Sequence, residues 1–353
     1  MKRKIQNSDF FKSVIDLVRL SKSNVVRHVN KAMVTTYFEI GRMIVEQQQG
    51  GQKRAEYGER LLEGLSGELT KEFGKGFSAV NLENMRKFYL VYSISSTVSR
   101  KSDSTDGKPQ TVSRKLESGE LIRFELSWSH YQKLMRIEDA GERKFYEIEA
   151  LENNWSIREL QRQYDSALYQ RLALSKDKKK VKILSEKGQQ MESPKDAVKE
   201  PYILEFLGLE EHSYYSESQL EQKIIEKLEH FLLELGKGFA FIARQKRISF
   251  EEDHFYIDLV FYNRILNCFV LIDLKIGKLK HQDIGQMQMY VNYFDRFEKE
   301  ENENKTIGII LCRDKNDSLV EITLPKDNDQ IFASRYKTIL PSKEELKKLI
   351  GSS

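Results

Sequence analysis

Three strongly apolar runs of strand length follow one another between residues 239 and 276: 239–250, 255–262 and 268–276. They are rich in aromatic and β-branched residues, the composition of strands that pack on both faces. The five residues Asn263-Arg264-Ile265-Leu266-Asn267 between the last two predict an antiparallel hairpin. Inside that hairpin stand three charges, Asp258, Asp273 and Lys275. An ionised side chain in a half-buried strand is costly unless a partner, a metal or a substrate compensates it, so the trio is a candidate functional site.

Strand side chains alternate, which places Asp273 and Lys275 on one face with Phe269 and Leu271, and Val270, Ile272 and Leu274 on the other. By the same parity Asp258 shares a face with Tyr256 and Val260, and hairpin pairing lets the two charged faces coincide. Two carboxylates converging from adjacent strands form a hard-oxygen site for Mg²⁺ or Mn²⁺, which fills its remaining positions with water and phosphate oxygens. A lysine beside such a site would position or activate water, or neutralise charge on a phosphate in transit. The chemistry that fits is phosphodiester hydrolysis.

The surrounding pattern gives the architecture. Residues 218–235 predict a helix with an apolar stripe at Leu220, Ile224, Ile225, Leu228, Phe231, Leu232 and Leu235, closed by Gly236-Lys237-Gly238. The three strands follow, then a helix over 281–297 and a buried strand over 306–312. Helix, three strands, helix, strand predicts an α/β sandwich with a mixed sheet. The front of the chain is different: apolar residues recur at helical spacing through Val14, Leu17 and Val18, Phe38 to Ile44, and Leu61 to Leu69. Gly74-Lys75-Gly76-Phe77-Ser78 separates a helix ending near Phe73 from one running from Ala79 to Tyr92. That arrangement is helix-turn-helix-like, with Arg86 and Lys87 as candidate nucleic-acid contacts; a plain packed helical hairpin has the same pattern. Residues 94–119 predict a flexible insertion, and Ser156 with Glu159 predicts a capping box opening a further helix. The expected fold is therefore α+β in two domains: helical residues 1–175, a linker over 176–200, and an α/β domain over 201–353.

Charge and composition bound the partners. The first 200 residues hold 37 Lys and Arg against 28 Asp and Glu, so a net charge of +4 conceals a basic front and an acidic back. A basic front suits a polyanion such as nucleic acid, and an acidic back suits divalent cations. No apolar run approaches membrane-spanning length and the first residues lack the apolar segment of a signal peptide, so the sequence leads to a cytoplasmic protein with no membrane partner. Cys268 and Cys312 lie in apolar strands and read as two buried thiols.

Asp258 followed by Asp273-Leu274-Lys275, in this element order, resembles the PD-(D/E)XK nuclease superfamily. Gln286 and Tyr290 on the next helix, one turn apart, resemble the Gln-x-x-x-Tyr motif of its RecB-like branch. The run Phe255-Tyr256-Ile257-Asp258-Leu259-Val260-Phe261-Tyr262, with Asp273 to Lys278 and Gly285-Gln286-Met287, is similar to the YhcG-like family of bacterial nucleases. Trp155-Ser156-Ile157-Arg158-Glu159-Leu160 extends the likeness into the helical half. The resemblance implies a restriction-endonuclease-like core and a Mg²⁺- or Mn²⁺-dependent endonuclease acting on DNA. Asp258 and Asp273 would hold the metal, Lys275 assist the attacking water, and Gln286 orient the lysine or touch the backbone.

The superfamily often adds an acid from the first core helix, and Glu221 is the candidate; as the third residue after Ser218 it could instead be a capping glutamate. Ile257 stands where the motif has proline, and Asp273 where glutamate is commoner. Arg244, Lys246, Arg247, Lys278, Lys280 and Tyr290 are candidate nucleic-acid contacts around the site. A homodimer is possible, and a catalytically silent nucleic-acid-binding or protein-interaction module on the same fold is the alternative.

Overall fold

The computed structural model describes residues 2–50, 55–100, 124–174, 178–210, 214–250 and 252–340. Its internal contacts divide the chain into two compact units, residues 1–160 and 161–353.

The first unit is helical: α1 (Lys2–Gly50), α2 (Ala55–Phe73), α3 (Ala79–Arg100), α4 (Trp128–Leu134), α5 (Ala140–Glu152) and the start of α6 (Ile157–Asp165). Helices α2 and α3 are separated where the glycines predicted it; Gly74 and Gly76 take φ of 79° and 124°, which other residues rarely adopt. The second helix buries Leu82, Met85, Phe88, Tyr89 and Tyr92. Phe88 meets Phe38 of α1, Phe124, Trp128 and Tyr131 edge-on or tilted, so the core of this unit is an aromatic cluster. Helix α3 continues to Arg100, through the start of the flexible insertion expected over 94–119; residues 101–119 lie outside the described residues. Ser156 and Glu159 form the expected reciprocal cap, at 2.6 and 3.3 Å.

The second unit contains α7 (Leu168–Leu174), α8 (Lys178–Lys187), β1 (Tyr202–Ile203), α9 (Glu217–Glu226), α10 (Leu228–Leu235), β2 (Phe239–Phe250), β3 (Asp253–Asn263) and β4 (Cys268–Lys278). It is completed by α11 (His281–Tyr293), β5 (Ile307–Asp314), α12 (Asp317–Thr323) and β6 (Ile331–Lys337). Its sheet has the order β1-β6-β5-β4-β3-β2, with β2, β3 and β4 antiparallel and the rest parallel. The expected hairpin pairs Tyr262 with Phe269 and Leu259 with Ile272. Parity on β4 is also as expected. Val270, Ile272 and Leu274 enter the core under α9 and α10, while Leu271 and Phe269 pack with residues of α11. Both cysteines are buried free thiols, pushed up by burial to about 12 for Cys268 and about 11 for Cys312.

Residues 176–200 differ from the linker that the lysine-rich sequence suggested. Residues 178–187 form α8, and Leu184, Met191, Ala197 and Lys199 are buried, Met191 and Ala197 in the same core as Phe231. The anchor is electrostatic: Arg162 and Arg171 reach Glu234 of α10 at 3.2 and 2.6 Å, and Lys199 donates to the Glu234 carbonyl. The contact division accordingly falls at Leu160, ahead of these arginines.

Candidate active site

The site is built where the β3–β4 ladder stops. Backbone pairing is regular up to Leu259–Ile272. Beyond it the Asp258 carboxylate takes the place of a ladder carbonyl, Oδ2 accepting from the Leu274 N–H at 2.8 Å. Strict alternation fails on β3 at this point, since Ile257 and Val260 both enter the core on the α11 side. Asp258 therefore stands at the gap between the strands, rather than on a simple shared face with Tyr256 and Val260. Asp273, on the next strand, is 3% exposed.

Lys275 Nζ lies 2.9 Å from Asp273 Oδ2. Burial pushes the Asp273 carboxyl up to about 7; Lys275 pulls it down, and the nearby Asp258 and Glu217 charges push it further up. For Lys275, burial acts to lower the ammonium, but the charge of Asp273 outweighs it and raises the group to about 12. Lys275 is thus a cation here. That favours charge neutralisation and positioning over proton abstraction.

Helix α9 delivers two carboxylates. Its N-cap is Ser216, whose hydroxyl accepts from Gln219 N while the Gln219 side chain returns to Ser216 N. The cap lies two residues before Ser218, so Glu221 is not a capping glutamate. Instead it is buried, with Arg244 Nε 2.7 Å from Oε1 and Gln245 Nε2 donating to Oε2 at 2.6 Å. Glu217, one turn earlier, lies 3.8 Å from Lys275 Nζ and accepts from Ile276 N at 3.4 Å.

Gln245 joins the two halves of the cluster. Its Nε2 also donates to Asp258 Oδ1 at 2.9 Å. Arg244 pairs with Leu259 and Lys246 with Ile257, leaving Gln245 and Asp258 opposite one another. Gln245 has φ 48°, a left-handed conformation that costs about 1–2 kcal/mol for a residue with a Cβ. Sequence reasoning missed both Gln245 and Glu217. Left-handed backbone in a strand leaves no mark on residue type, whereas Glu217 was readable from its i,i+4 relation to Glu221 once the cap was set at Ser216.

Helix α11 supplies Gln286 and Tyr290. It packs so closely on β5 that a Cβ on Gly308 would meet Met287 Sδ at 2.6 Å. Tyr290, proposed from sequence as a nucleic-acid contact, is fully buried: its hydroxyl donates to the Tyr256 carbonyl at 2.9 Å and receives Gln286 Nε2 at 2.5 Å. Its place is to hold Gln286.

The basic candidates divide. Arg244 is committed to Glu221 and to Gln222, which accepts from Nη1 at 2.8 Å. Lys246 pairs with Glu298 at 3.2 Å and Arg247 with His254 at 2.8 Å. Lys278 and Lys280 are exposed at the end of β4 and the cap of α11. In the first unit Arg86 is held by both oxygens of Glu83 at 2.7 Å, one turn away on α3, while Lys87 is exposed beside it.

Two buried carboxylate oxygens in this cluster, Glu221 Oε1 and Asp273 Oδ2, have a cation within ion-pair distance but no hydrogen bond of acceptable geometry. Among the described residues no three His, Cys, Asp or Glu side chains already close round a metal-sized centre. A hard divalent ion needs only one or two carboxylates and completes its shell with water and substrate oxygens. Carboxylate oxygens such as those of Asp258, Asp273 and Glu221 are the donor type that Mg²⁺ or Mn²⁺ takes.

Comparison with known proteins gives the family. The family model of the YhcG PDDEXK nuclease domain matches residues 195–350, and that of the DUF1016 N-terminal domain matches residues 13–171. The Escherichia coli (strain K12) protein titled "Putative nuclease YhcG" is 39% identical over 342 residues, spanning 94% of this chain and 90% of that one. This chain belongs to the YhcG family. Among solved structures, a repair endonuclease from Pyrococcus abyssi is similar over 38% of this chain and 50% of that one, at 17% identity and TM-score 0.24. A complex titled EndoMS-dsDNA2 is similar over 38% and 51%, at 14% identity and TM-score 0.26. No helix among the described residues is long and apolar enough to cross a membrane.

Proposed function

We propose that this YhcG-family protein is a divalent-cation-dependent nuclease that hydrolyses phosphodiester bonds of DNA. One observation carries the reading: Asp273 is buried close to Asp258 with its charge under-compensated, its carboxyl driven up to about 7 although Lys275 Nζ lies 2.9 Å from Oδ2. A stable core has no use for that arrangement, and a cation site does. Asp258, Asp273 and Glu221 would hold the ion. When bound, Mg²⁺ or Mn²⁺ polarises the phosphate and makes a water acidic enough to attack it.

The protein's own groups do the rest. The Leu274 N–H fixes the Asp258 carboxylate so that one oxygen remains directed at the site. Lys275, protonated, places positive charge where the phosphate oxygens gain negative charge. Gln286, gripped by Tyr290, offers its carboxamide to the backbone or the attacking water from a fixed position. Exposed Lys278 and Lys280 border the site and suit phosphates of the bound strand, and the basic first 200 residues suit a long polyanion.

The test is a cleavage panel of supercoiled, linear, single-stranded and branched DNA, with RNA alongside, in Mg²⁺ and Mn²⁺, run on the wild type and Asp258→Ala. Cation-dependent cleavage of DNA that Asp258→Ala abolishes is the expected result. Cleavage of RNA alone would move the substrate, and no cleavage of any nucleic acid would overturn the enzymatic reading.

A further inference from the structure

Gln245 Nε2 is a donor only, yet it lies within 3 Å of two anions on different elements: 2.6 Å from Glu221 Oε2 on α9 and 2.9 Å from Asp258 Oδ1 on β3. In a regular strand neighbouring side chains point to opposite faces. Here Arg244 and Gln245 both reach Glu221, which the left-handed φ of Gln245 makes possible. The amide nitrogen thus fills the gap between the two carboxylates. A Mg²⁺ ligated by both oxygens at about 2.1 Å needs the same gap, and the positive end of the amide repels it. Gln245 is exposed, so there is solvent for its side chain to enter.

We propose that the Gln245 carboxamide closes the cation position between Glu221 and Asp258 and must swing out for the ion to enter, so that Gln245 sets the cation affinity of the site. The inference rests on these carboxylates being cation ligands. Until the ion arrives, the amide holds two like charges in register; afterwards it is released toward solvent or substrate. Gln245 is a positioning residue that acts through Glu221 and Asp258. Its removal takes away a competitor and leaves the two carboxylates repelling each other, and both effects favour the ion.

Calorimetric titration of Mn²⁺ alone into the full chain tests this, with Gln245→Ala, Gln245→Gly and Asp258→Ala beside the wild type. Both Gln245 variants are expected to bind on the order of tenfold more tightly, the effect of losing about one charge-assisted hydrogen bond. A damaged fold would weaken binding, so tightening is not a by-product of instability. Glycine also suits the left-handed backbone better than glutamine, which protects the test if alanine folds poorly. Unchanged or weaker binding in both variants, with Asp258→Ala losing its binding, overturns the latch and leaves the cation site standing. If the wild type binds no Mn²⁺, or Asp258→Ala binds as the wild type does, the latch and the site fall together.

Discussion

Two acidic clusters lie buried in residues 161–353, and they are opposite in kind. Glu234 is fully buried, yet Arg171 meets Oε1 at 2.6 Å, Arg162 meets Oε2 at 3.2 Å, and the Ile203 N–H donates to Oε1 at 3.0 Å. Burial raises this carboxyl, but Arg171, Lys199 and Arg162 together overcome it and bring it down to about 2. Asp273 is also buried, but it shares its one lysine with Glu217, has two further carboxylates close by, and has a carboxyl raised to about 7. The first cluster is closed and ties residues 162–199 to the core. The second is left open: Asp273, Asp258 and Glu217 face one lysine, two positive charges short. A buried acid that is fully compensated is structure; one that is not is a candidate ligand site.

Breaking each cluster should therefore fail differently. Glu234→Ala strands Arg171 in the core and is expected to destabilise the chain by about 3–5 kcal/mol in urea unfolding. The same carboxyl gives the wild type an acid limit. Because its folded value is depressed, its stabilisation is complete above its ordinary value near 4.5 and is lost as pH falls toward 2. Unfolding midpoints between pH 5 and pH 2 should show the loss, and Glu234→Gln should flatten it.

The open cluster answers in activity. Lys275→Ala is expected to lower cleavage about 10²–10³-fold while nucleic-acid binding persists, as single-turnover rates and a binding isotherm would report. Asp273→Asn should go further in contrast: it loses cleavage and gains stability. With its folded value raised, Asp273 contributes stability below its ordinary value near 3.8 that is lost as pH rises through about 7. At pH 8 without metal the asparagine chain is thus expected to be more stable by about 1–2 kcal/mol, and equal stabilities would refute the contrast.

The chain's pattern showed the order of elements around β2 to β5, the hairpin, and the face shared by Asp273 and Lys275, because apolar alternation and a short turn determine all of these; the single helix expected over 218–235 is instead two, α9 and α10, which meet at Lys227. It also showed the break between α2 and α3, where glycines mark the turn. It did not show that Tyr290 is buried, since an aromatic on an amphipathic helix has the same signature whether it packs or meets a ligand. Lys178-Lys179-Lys180 masked α8, which nevertheless buries Leu184. Strands β1 and β6 escaped notice because one is two residues long and the other follows a loop rich in charge. Gln245 was beyond sequence reasoning altogether: its role depends on a backbone angle and on what faces it across the ladder.

The most direct test of the contrast is thermal unfolding at pH 8 with and without Mn²⁺, for the wild type, Asp273→Asn and Glu234→Gln. Binding to the folded chain alone raises its melting temperature in proportion to the ion's affinity. Mn²⁺ is expected to raise Tm for the wild type and for Glu234→Gln, and to leave Asp273→Asn where it was. An equal rise in Asp273→Asn, or none in the wild type, would contradict the claim that this cluster is held open for a cation.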